Sequence, residues 1–177
     1  MPNSFRALTV FLGFLFVSLA LAASSNEFPR DPLSTPMQKD SSMTQHATGP
    51  FDVKLIPLDP AFKTEDTSIA RMSIDKQFHG DLEAGSKGEM LSAATSVKGS
   101  AGYVAIERVS GSLHGRTGTF ILQHNATMAR GTPMLNIIVV PDSATGQLTG
   151  LTGTMNIIIA NGKHSYYFAY TLPPANP

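Results

Sequence analysis

A lysine, a glutamate, two histidines and several tyrosines fall on apolar runs at a spacing of two, the period at which a β-strand shows one face. Lys76 sits with Ile74 and Phe78, and Tyr103, Ala105, Glu107 and Val109 alternate with Val104, Ile106 and Arg108. His124 follows Phe120 and Leu122, and His164, Tyr166, Phe168 and Tyr170 share a further face. If these faces turn inward, Lys76 and Glu107 can satisfy each other's charge. A histidine beside them can move a proton near neutral pH. Tyrosines add contact area with a hydroxyl at the tip. An apolar chamber with a few polar tips has the usual composition of a small-molecule site. The candidate lining is therefore Lys76, Tyr103, Glu107, His124, Tyr166, Phe168 and Tyr170. The Tyr103 face is read as inward because Arg108 would be costly there unpaired, an objection that pairing with Lys76 answers for Glu107. Each residue also has a plainer use: a tyrosine as core with one hydrogen bond, a lone histidine satisfied by a neighbour, a lysine and glutamate as a structural pair.

Other chemistries lack their signatures. His79, His114, His124 and His164 show neither H-x-H nor H-E-x-x-H spacing, so no metal site is expected and no cofactor is implied. No G-x-S-x-G is present, and the serines concentrate in turn-like segments. Asn125-Ala126-Thr127 matches a glycosylation sequon, which matters only in a eukaryotic secretory pathway. With 13 Lys and Arg against 13 Asp and Glu and no basic stripe, the chain is not expected to bind nucleic acid.

The elements that must hold these residues are strands. Beyond Ala47 glycines recur, Val, Ile, Phe, Thr and Tyr concentrate, and no window keeps a helical period. Eight segments stand out, centred on Phe51 to Ile56, Ala70 to Phe78, Gly88 to Thr95, Gly102 to Val109, Gly118 to Asn125, Leu135 to Val140, Thr154 to Ile159 and Ser165 to Thr171. Asn161-Gly162 predicts a type I′ hairpin, since both residues tolerate positive φ. Pro141 to Gly146 predicts a looser turn, and Pro57 to Asp66 the longest irregular stretch, with room for one helical turn. Gly111-Ser-Leu-His-Gly-Arg-Thr-Gly-Thr-Phe120 and Gly146-Gln-Leu-Thr-Gly-Leu-Thr-Gly-Thr-Met155 repeat the pattern G-x-L-x-G-x-x-G-T-[FM]. Such a unit reads as a glycine opening a turn, with a leucine plugging the core beneath it. The expectation is an all-β domain, an eight-stranded antiparallel β-barrel whose interior admits side chains or one small ligand.

The N-terminus predicts export. Arg6 precedes an apolar run from Ala7 that ends in Ala20-Leu21-Ala22, the pattern of a secretory signal peptide over 1–22. Its removal takes Arg6 and leaves 12 basic against 13 acidic residues, a nearly neutral chain with no stable membrane anchor. Residues 23–46, broken by Pro29, Pro32 and Pro36, read as a flexible tether; 47–172 form the barrel, and 173–177 a C-terminal tail. With no cysteine, no disulfide staples the fold, and stability must come from burial. The expected location is periplasmic or secreted. The outer wall of a barrel also offers a surface for homo-oligomerisation, of an order the sequence does not fix.

The ordered phrases Met72 to Leu82, Ser86 to Leu91, Lys98 to Val109, Leu122-Gln-His124, Val140 to Ser143 and Gly162 to Tyr166 resemble the bacterial domain-of-unknown-function family 3224 over nearly all of Phe51 to Leu172. The resemblance implies a small barrel similar to that of allene oxide cyclase, and the family carries no established activity. Asn125-Ala126 and Ala144 stand where the family pattern has glycine, so different turns are expected there. Two functions follow: a binding barrel for a small, mostly apolar molecule, or an isomerase or cyclase similar to allene oxide cyclase, in which Glu107 or His124 moves charge or a proton. A third option is a structural or assembly protein with a filled barrel.

Overall fold

The computed structural model describes residues 43–59 and 69–174. The leader at 1–22, the tether up to residue 42, residues 60–68 with their predicted helical turn, and the end of the tail at 175–177 lie outside the described residues. Among the described residues the elements are β1 (Gln45–Leu58), β2 (Ile69–Phe78), β3 (Leu82–Ala94), β4 (Ala101–Leu113), β5 (Arg116–Ala129), β6 (Thr132–Val139), β7 (Thr145–Gly146), β8 (Thr152–Ala160) and β9 (Lys163–Thr171). All pairings are antiparallel. Each long strand pairs with the next along the chain, β6 with β8, and β9 with β1, so eight long strands close into a barrel. The two-residue β7 is an addition at the rim of β5.

The predicted strands are all present and mostly longer than expected. Gln45 and His46, assigned to the tether, belong to β1, where they pair with Tyr170 and Ala169. Asn125-Ala126 makes no turn: β5 runs through it to Ala129, and the reversal falls at Arg130-Gly131, with φ of 49° and 90°. Asn161 and Gly162 do form the tight hairpin between β8 and β9, with φ of 52° and 73°.

Alternation then sorts side chains by face. On β4, Ala105, Glu107 and Val109 are buried while Val104, Ile106 and Arg108 are exposed. The interior is unequal along its length. At the end carrying the β2–β3 and β4–β5 turns, Phe78, Leu82, Leu113, Phe120, Tyr166 and Phe168 are buried and fill the lumen. Leu113 and Leu148, the matching leucines of the repeat, are both part of this filling. Leu148 and Leu151 come from the β7–β8 connection and stop that end like a cork. Toward the other end the lining thins to Val53, Leu135 and Ile157, which are only partly buried.

Candidate functional site

In this thinner half lies a chamber of about 670 Å³, walled by Phe51, Val53, Ile74, Met90, Leu135 and Ile157, with Leu55, Pro133 and Ile159 toward the rim. Leu55 and Ile159 are exposed, so the chamber opens to solvent on their side. Its polar lining comes from Lys76, His124, Tyr103 and His164.

At its inner limit a polar cluster spans four strands, β2 to β5. The antiparallel register sets Lys76 opposite Ser86, and Glu107 opposite Gly88. Gly88 lets β3 and β4 approach closely at the level of Glu107. A Cβ there would lie 2.2 Å from the Ile106 carbonyl oxygen and 2.7 Å from the Glu107 Cα. The Lys76 ammonium donates to Glu107 Oε2 at 2.6 Å, and the Ser86 hydroxyl donates to Oε1 at 2.6 Å. His124 Nε2 lies 3.2 Å from Oε2, yet this sealed nitrogen makes no well-formed hydrogen bond. Lys76 also sits 5.4 Å and 5.6 Å from the ring centres of Phe51 and Phe78, close enough for cation–π attraction.

Glu107 is fully buried. Burial alone would push its carboxyl upward, but His124, the Lys76 charge and hydrogen bond, and the Ser86 hydroxyl outweigh it and hold the group at about 2. The carboxylate is thus ionised, and each of its oxygens accepts a hydrogen bond. A base so weak is poorly suited to take a proton at neutral pH. Tyr103, by contrast, is held above the usual phenol range by burial and by the charge on Glu107. It stays protonated and can donate.

The nominated residues divide. Lys76, Tyr103 and His124 reach the chamber, and Glu107 stands behind Lys76 as its acceptor, with His124 Nε2 3.2 Å from the same oxygen. Tyr166, Phe168 and Tyr170 do not line it. They are on the inward face, as expected, but in the filled end. Tyr166 accepts from the Leu82 N–H at 2.8 Å and lies 3.0 Å from the carbonyl oxygens of Thr48 and His79. Phe168 stacks on Phe120 and Tyr170. Tyr170 donates to Gln45 Oε1 at 2.9 Å and meets His114 Nδ1 at 2.7 Å. The two tyrosine hydroxyls are spent on holding the ends of strands together.

Ser86 was not among the predicted residues. It lies in the first half of β3, which the pattern places at Gly88 onward; the alternation of Leu82, Ala84 and Ser86 against Glu83 and Lys87 is the signal that reveals it. Among the described residues no group of three His, Cys, Asp or Glu side chains converges to hold a metal ion.

A comparison with curated proteins gives no match. A crystal structure of a protein of unknown function from Shewanella oneidensis MR-1, of the DUF3224 family, is similar to this chain. The two share 53% identity over 75% of this chain and 100% of that one, with a TM-score of 0.70. The model of the family described as "Protein of unknown function (DUF3224)" matches residues 47–170, which spans β2 to β8 entirely and nearly all of β1 and β9. With the barrel, its ordered phrases and this match in agreement, the chain belongs to the DUF3224 family.

Proposed function

We propose that the barrel binds a small, mostly apolar molecule in its open half, and that it does so outside the cytoplasm, in the periplasm or as a secreted protein. The observation that carries the binding reading is the chamber of about 670 Å³ with apolar walls and a few polar groups in its lining, a volume and composition typical of small-molecule sites. A barrel filled throughout, as a purely structural role would have it, leaves no such space. The leader ending in Ala20-Leu21-Ala22 supports export.

The second reading, an isomerase or cyclase similar to allene oxide cyclase, draws on the contact between His124 and Glu107 beside the chamber. The depressed Glu107 carboxyl weighs against it, because the group is held as a charge partner rather than poised near neutrality. Fold likeness adds little to an argument about activity.

Native mass spectrometry of protein purified from its own host tests the proposal. The expected spectrum contains a chain beginning at Ala23 with an added small-molecule mass. A bare chain in every preparation turns the balance to the structural role, and a retained leader removes export.

A further inference from the structure

The cluster at the chamber's inner limit restricts what the ligand can carry, a step that rests on the binding proposed above. Glu107 accepts from Lys76 and Ser86, so its oxygens are taken. An ammonium has three N–H donors, and Lys76 makes one hydrogen bond to an oxygen acceptor among the described residues. It faces the chamber together with Tyr103, whose phenol stays protonated. The chamber is therefore rich in unspent donors. Its permanent charge, however, is closed: Lys76, the one Lys or Arg in the lining among the described residues, is neutralised by Glu107 at 2.6 Å. A ligand carboxylate entering here would give up its hydration without gaining an unmatched counter-charge, which is costly. An uncharged oxygen would accept a hydrogen bond at no such cost.

We infer that the ligand is a neutral lipophile whose inner end is an uncharged oxygen acceptor, a hydroxyl or a carbonyl, held by Lys76, with Tyr103 as a second donor on the chamber wall. Its apolar remainder lies along Phe51, Val53, Ile74 and Ile157 toward the rim. Fatty acids in their ionised form are selected against.

The test titrates the full chain with octanol, methyl octanoate, octanoate and octane, following by NMR the methyl groups of Ile74, Leu135 and Ile157. The expected order is octanol and methyl octanoate roughly tenfold tighter than octane, the size of one hydrogen bond between a neutral and a charged group, with octanoate at pH 7 weaker than its ester. The double substitution Lys76→Met with Glu107→Gln removes both charges together, and so leaves no orphan charge; it should bring octanol and octane to equal affinity. If this variant does not fold, the order among the four compounds on the unaltered protein decides alone. Equal binding of all four, or octanoate binding most tightly, overturns the inference while the chamber remains a binding site. No methyl shift with any of them overturns both.

Discussion

Lys76 and Glu107 meet at 2.6 Å with 6% and none of their side-chain surfaces exposed, so each is tolerated in the interior only because of the other. Removing one charge strands its partner. Glu107→Gln should therefore destabilise the fold by on the order of 3 kcal/mol at pH 7, measured by urea unfolding. The pH dependence has a definite sign. Because the folded carboxyl sits at about 2, below its ordinary value of 4.5, its stabilising contribution is complete above 4.5 and is lost as pH falls from there toward 2. The unaltered protein should lose stability over that window more steeply than Glu107→Gln. Parallel slopes for the two proteins would show that the carboxyl is not depressed. This pair was legible in the sequence because a lysine and a glutamate on two apolar faces have no other way to be buried. Ser86 was not, since its strand carries Gly85 and Gly88 in place of side chains that would show the alternation.

At the scale of the element, register does the positioning. Pairing β3 with β4 sets Gly88 against Glu107, where the two strands approach closely, and Glu107 on β4 reaches across β3 to Lys76 on β2. Gly88→Ala places a methyl group 2.2 Å from the Ile106 carbonyl oxygen, a backbone collision that only separation of the two strands relieves. A loss of about 2 kcal/mol or more is expected, in line with overpacked positions, together with exposure of the cluster. Thermal unfolding and hydrogen exchange at Ile106 and Glu107 would report it, and an unchanged melting temperature would mean the strands are not as tightly joined as described. The strands themselves were readable from alternation and from turn residues such as Asn161-Gly162. Which level of the barrel each inward residue occupies was not. Tyr166, Phe168 and Tyr170 obey the same period as Lys76 and Glu107, and the stagger that sets them at different levels is a property of pairing between distant segments, which one chain read in order does not display.

For the whole molecule, the interior has two halves with separate duties, and they should respond separately to substitution. Tyr166→Phe deletes a hydroxyl that accepts from Leu82 and lies within reach of two carbonyl oxygens. It should cost about 1–3 kcal/mol of stability with ligand affinity unchanged. Ile157→Trp fills the open half, and should abolish binding while leaving the unfolding midpoint within a few degrees. If both variants lose binding and stability alike, the interior behaves as one cooperative core and the division fails. The cork formed by Leu148 and Leu151 gives the described barrel the character of a cup rather than a pipe. Whatever is taken up must leave by the mouth through which it came, with its last-admitted end first. A cargo can then be handed over only to an acceptor that approaches the same lip, and two cargoes can never pass one another in a relay through the barrel.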